Sequence, residues 1–138
     1  MNKIAHVGVA VKDLDAALAL FRDTLGLRVE YRRVVPDQGV EIVGLRVGES
    51  EIELLRPTSD ASTVARFLEK RGEGIHHICF EVDDVEATLR ALEAHGYELI
   101  DKTPRVGSDG RKLAFVHPKG THGVLIEFYE KKPLADSQ

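Results

Sequence analysis

The chain has 138 residues, 43% of them apolar and 30% charged, with a formal charge of −4. That balance belongs to one folded globular domain, and the scattered basic residues exclude the concentrated cationic face that nucleic acid or an anionic membrane selects. The lone cysteine, Cys79, excludes an internal disulfide and an all-thiolate metal site, so any metal here needs nitrogen and oxygen ligands.

Met1-Asn2-Lys3-Ile4 runs straight into an amphipathic pattern, without an apolar signal segment or a run long enough to cross a bilayer, and a cytoplasmic protein is expected. From Ile4 to Val11 the pattern is strand-like. From Asp13 to Leu25 the apolar residues Leu14, Ala17, Leu18, Phe21 and Leu25 recur at helical spacing, and Gly26 stands where a helix stops. Strands are expected from Leu27 to Val34, Val40 to Val47 and Glu51 to Leu55, with turn chemistry at Pro36-Asp37-Gln38-Gly39 between the first two. A loop over Pro57 to Asp60 leads into a short helix marked by Val64, Phe67 and Leu68, which ends near Gly72-Glu73-Gly74. A strand from His76 to Val82, a helix from Asp84 to His95 and a stop at Gly96 then restart the pattern.

Shifting the second half back by 71 positions sets Val82 on Val11, Asp84 on Asp13, Ala87 on Ala16 and Leu89 on Leu18. After a few extra loop residues, Ile126-Glu127-Phe128 matches Ile52-Glu53-Leu54. This is the mark of a duplicated supersecondary unit. The expected fold is α+β, one domain over 1–138 made of two tandem βαβββ modules, about 3–56 and 75–130, joined by a segment over about 57–74.

Alternation sorts the polar residues of these strands. Ala5, Val7, Val9 and Val11 form an apolar set, which leaves His6, Gly8 and Ala10 on the other face, the small residues making room beside His6. In the matching strand Ile78, Phe80 and Val82 take the apolar side, so His77, rather than His76, is the partner of His6. Glu53 and Glu127 likewise oppose their apolar neighbours. Singly, each of these residues could be solvated or locally hydrogen-bonded. Two imidazoles and two carboxylates at matched positions suit a borderline divalent ion such as Co²⁺, Zn²⁺, Ni²⁺ or Mn²⁺.

The runs His6-Val7-Gly8-Val9-Ala10-Val11, Pro36-Asp37-Gln38-Gly39-Val40, Glu51-Ile52-Glu53-Leu54-Leu55, Gly72-Glu73-Gly74-Ile75-His76-His77-Ile78, His117-Pro118-Lys119 and Gly123-Val124-Leu125-Ile126-Glu127 span nearly the whole chain. In them the sequence resembles the methylmalonyl-CoA epimerases of the glyoxalase, or vicinal oxygen chelate, superfamily. The resemblance implies metal ligation by His6, Glu53, His77 and Glu127, and epimerisation of (2R)- and (2S)-methylmalonyl-CoA through a metal-stabilised enolate. It also implies a pair of catalytic glutamates, one of which carries over to Glu127. The nearest candidate for the other is Glu41. It follows Val40 directly, where that pattern has one more residue between, and its neighbours are apolar on both parities, so alternation does not assign its face.

His76 is expected as a satisfied interior histidine, with support of the metal ligands as the other reading, and Cys79 as a small buried apolar residue. His117 and Lys119 could help place the acyl group or pantetheine, and a strand-end turn explains His117-Pro118 equally well. Arg105, Arg111 and Lys112 could meet CoA phosphates, or be solvated loop charges. An acyl-CoA substrate and a homodimer are the expected partners. The rival readings are a glyoxalase I type lactoylglutathione lyase, a metal-free small-molecule binding protein of this fold, and an Fe(II) ring-cleaving dioxygenase. A fourth protein ligand would crowd the last.

Overall fold

The computed structural model describes residues 1–132. Its elements are β1 (Lys3–Ala10), α1 (Leu14–Leu18), β2 (Arg28–Val35), β3 (Val40–Val47), β4 (Ser50–Pro57), α2 (Thr63–Arg71), β5 (Gly74–Val82), α3 (Val85–Ala94), β6 (Arg105–Val106), β7 (Lys112–Val116) and β8 (Ile126–Glu130). The fold is α+β, and the order βαβββ occurs twice, with α2 in the expected connecting segment. No helix of the described residues is long and apolar enough to cross a membrane.

The chain forms two compact units, His6–His77 and, separately, Met1–Ala5 with Ile78–Gln138. The boundaries cut β1 and β5 internally. The first residues of β1 therefore belong with the second half of the chain, where the Asn2 N–H donates to the Glu81 carbonyl at 2.9 Å.

In the unit His6–His77, β1 runs parallel to β4, and β4, β3 and β2 follow as antiparallel neighbours. One face of this sheet carries Val43, Leu45 and Leu54, packed with Val11 and with Leu14 and Leu18 of α1. The other carries Ala10, Val40 and Leu55, packed under Val64 and Leu68 of α2. In the other unit β5 runs parallel to β8, and β8 and β7 pair antiparallel, as do β7 and β6. Val82, Ala114, Val116 and Phe128 pack there with Val85 and Leu89 of α3.

The repeat extends to local chemistry. Asp13 caps α1 by accepting from the Ala16 N–H at 3.2 Å, and Asp84 caps α3 by accepting from the Ala87 N–H at 3.0 Å. Each caps an otherwise orphan donor of the first turn. Gly26 and Gly96 end the two helical segments at φ 76° and 86°, where a side chain would be strained.

Two features depart from the expected pattern. The helix over Asp13 to Leu25 is α-helical only to Leu18 and continues as a π-helix over Ala19–Thr24, with the Leu25 N–H reaching back to Leu20 O at 2.9 Å. β6 has two residues where its counterpart β2 has eight. Pro104 and Gly107 bracket it, and a proline cannot donate to a ladder.

Candidate metal centre

One row of residues crosses the unit His6–His77 from strand to strand. Gly8 in β1 lies opposite Glu53 in β4, Glu53 opposite Gly44 in β3, and Gly44 opposite Tyr31 in β2. Residues opposite one another on paired strands share a face, and His6, two positions before Gly8, shares it too. A Cβ on Gly8 would lie 2.3 Å from the His77 ring, and one on Gly44 would lie 2.3 Å from the Tyr31 ring. A ring thus folds over each glycine, and the Glu53 carboxylate sits between the two.

His6 Nε2 stands 3.0 Å from His77 Nε2 and 3.4 Å from Glu53 Oε1. Two donors that are each about 2.1 Å from one ion stand roughly 3.0–3.4 Å apart, so these spacings fit a shared divalent cation. The three residues are 5%, 5% and 8% exposed, and burial of a carboxylate beside imidazoles calls for a compensating cation or hydrogen bonds. The donor types, spacing and burial of these three residues suit a divalent metal site.

Two further groups hold these donors. His76 Nδ1 is 2.9 Å from His77 Nδ1, a contact that orients the imidazole while Nε2 faces His6. The His76 ring also meets Phe67 of α2 edge-on, 5.0 Å between centroids, so the histidine expected in the interior is packed and supports His77 as well. The Tyr31 hydroxyl lies 2.7 Å from Glu53 Oε2 and 3.2 Å from Glu51 Oε1. Burial, and after it the Glu53 charge, push the phenol far above its ordinary value, so it remains a donor. The Arg33 guanidinium covers the Tyr31 ring at 4.3 Å, and its Nε is buried without a hydrogen-bond partner among the described residues.

Sequence reasoning missed Tyr31. The available signal was Gly44, a glycine inside an apolar strand, which marks the close approach of another group.

Glu127, the fourth expected ligand, lies on β8 in the other unit, 6% exposed, opposite Cys79 in β5 and Phe115 in β7. Cys79, fully buried, is the counterpart of Gly8 under the 71-position shift. The Cys79–Glu127 pair therefore repeats the Gly8–Glu53 pair.

Glu41 lies apart from this cluster. It lies opposite Arg56 in β4 and shares the parity of Val43 and Leu45, the face packed against α1 and turned away from Glu53. Its carboxylate is held by Arg32 Nε at 2.8 Å and Arg56 Nη2 at 2.9 Å. Arg32, then Arg56, hold its carboxyl below the ordinary value, whereas a general base works best poised near the operating pH. Ile42 occupies the opposite parity and packs with the α2-side cluster.

The other candidates are engaged locally. His117 Nδ1 accepts from the Lys119 N–H at 3.1 Å and caps the turn Pro118–Gly120. Arg105 pairs with Asp101, Arg111 with Asp109 and Lys112 with Glu86. Arg111 also covers the Tyr129 ring at 3.9 Å.

The family model of the Glyoxalase/Bleomycin resistance protein/Dioxygenase superfamily matches residues 5–115. An ethylmalonyl-CoA/methylmalonyl-CoA epimerase of Cereibacter sphaeroides is 40% identical over 129 residues, 92% of this chain and 96% of that protein. The mitochondrial methylmalonyl-CoA epimerase of Homo sapiens is 35% identical over 128 residues, 92% of this chain and 73% of that protein. A Streptomyces coelicolor methylmalonyl-CoA epimerase solved in complex with 2-nitronate-propionyl-CoA superposes with a TM-score of 0.91 at 36% identity, covering 97% of each chain. With most of its length matched and two helical caps, a repeated strand register and a histidine–carboxylate cluster in place, the chain belongs to the Glyoxalase/Bleomycin resistance protein/Dioxygenase superfamily.

Proposed function

We propose that this protein is a metal-dependent epimerase that interconverts (2R)- and (2S)-methylmalonyl-CoA. The observation that carries this reading is the buried cluster of His6, Glu53 and His77, in a chain 40% identical to an ethylmalonyl-CoA/methylmalonyl-CoA epimerase. Glu127 is the fourth ligand in this reading. Its pairing with Cys79 repeats the pairing of Glu53 with Gly8, so Glu127 holds in the second module the position that Glu53 holds in the first.

A bound divalent ion, Co²⁺ in the favoured form, would neutralise charge on the thioester and carboxylate oxygens of the substrate as the C2 proton leaves. His6 and His77 would hold the ion through ring nitrogens and Glu53 through a carboxylate oxygen. The Glu127 carboxylate takes the C2 proton on one face. The return proton on the opposite face comes from a group other than Glu41, which faces α1. The protein is read as a homodimer, to be checked by sedimentation.

The test is incubation of each epimer in D₂O with metal-free protein and with protein loaded with Co²⁺, Zn²⁺, Mn²⁺ or Ni²⁺, following deuterium at C2 and configuration. Metal-dependent inversion with deuterium uptake is expected, and His6→Ala and Glu127→Gln should abolish it. Absence of exchange with every metal would refute the assignment.

A further inference from the structure

We infer that Tyr31 is the positioning residue of the metal centre, its hydroxyl occupying one oxygen of Glu53 so that the carboxylate offers the other alone to the ion. The inference rests on the metal-site reading above and adds how this chain sets the coordination mode of one ligand.

The two oxygens of Glu53 have different surroundings. Oε1 faces His6 Nε2 at 3.4 Å, while Oε2 accepts from the Tyr31 hydroxyl at 2.7 Å. A carboxylate without such a partner can swing to present both oxygens to a metal. One with an oxygen committed to a strong donor binds through the other, and the donor also orients it.

The tyrosine is itself held. It is more than half buried, with its ring lying where a Cβ of Gly44 would be, 2.3 Å from the ring atoms, and with the Arg33 guanidinium 4.3 Å from its centroid. Glycine below and guanidinium above leave the hydroxyl little freedom except toward the acids of β4. Glu51, the other acid in reach, is paired through its other oxygen with Arg46 Nη2 at 3.2 Å. The longer 3.2 Å contact to Glu51, against 2.7 Å to Glu53, leaves Glu53 as the acceptor of the single hydroxyl proton.

The experiment is Tyr31→Phe, which keeps the ring over Gly44 and removes only the hydroxyl. Co²⁺ affinity is measured on the full-length metal-free protein by chelator competition, with the visible spectrum of the Co²⁺-loaded form and circular dichroism of the metal-free form. The expected result is a retained metal-free fold, affinity lower by about 10- to 100-fold, and a Co²⁺ band altered as Glu53 changes from one-oxygen to two-oxygen binding. In a Glu53→Ala background, Tyr31→Phe should cost no further affinity, whereas a merely structural tyrosine would subtract its effect there too. If Tyr31→Phe does not fold, Gly44→Ala, which displaces the ring and keeps the hydroxyl, is read by the same two measurements with the same expectation. Wild-type affinity and spectrum in the variant, or an undiminished loss in the Glu53→Ala background, would overturn the inference. A wild-type protein that binds no divalent ion would instead bring down the metal-site reading, and the inference with it.

Discussion

Gly8 has the smallest side chain in the metal cluster, and that is its function: a methyl group there would stand 2.3 Å from the His77 imidazole. Gly8→Ala should push His77 off its position beside His6 and lower Co²⁺ affinity roughly tenfold or more, as loss of ligand support does, while circular dichroism of the metal-free protein stays unchanged. Calorimetric titration checks it. Asp109 carries a different consequence. Its burial acts to raise its carboxyl, but the Tyr129 hydroxyl and Arg111 together hold it down to about 2, against an ordinary value of 3.8. A carboxyl whose folded value is depressed contributes stability that is fully present above its unfolded value and lost as pH falls through the folded one. Wild-type thermal stability should therefore drop more steeply than that of Asp109→Asn between pH 3.8 and about 2, as read from melting curves over that range. The residues of the cluster were legible in unequal degree. His6, Glu53 and His77 stood out because each interrupts an apolar alternation. Tyr31 did not, because its partner Glu53 is distant in sequence and β2 shifts register between Val29 and Tyr31, which breaks the parity on which such a reading depends.

At the scale of elements, the two modules can be compared directly, since equivalent caps do equivalent work. Asp84→Ala removes the acceptor for the Ala87 N–H and should cost about 1 kcal/mol, measured by urea unfolding. Helix starts, helix stops and most strands were readable, because Asp caps, terminal glycines and two clear periods mark them. The π-helical continuation over Ala19–Thr24 was not, since a segment this short is little more than one turn and shifts the apolar spacing too little to register. The shortening of β6 to Arg105–Val106 was also invisible in the repeat, where the matched positions end before it and resume at β8.

For the whole molecule, the core and, in the proposed function, a bound metal set separate shares of stability. Leu54 is 0% exposed in the cluster under α1, and Leu54→Ala should cost about 2–5 kcal/mol, seen as a fall in the urea midpoint of the metal-free protein. Binding of an ion to the folded state alone adds to this by mass action, about 2.7 kcal/mol at a free concentration one hundred times Kd. Chelation should then lower Tm in wild type and leave a His6→Ala, His77→Ala double variant unmoved in differential scanning calorimetry.

The amino-acid sequence by itself determined the order of elements, their duplication and the facing of His6, Glu53 and His77, because alternation is a local property that each strand carries along its own length. The direction of Glu41 was decided only by tertiary structure. Its stretch of β3 is covered on both sides, by the α1 cluster through Val43 and Leu45 and by the α2 cluster through Val40 and Ile42. A strand buried on both faces reads as a continuous apolar run, and only its pairing with β4 and the two arginines beside it show which way the glutamate points.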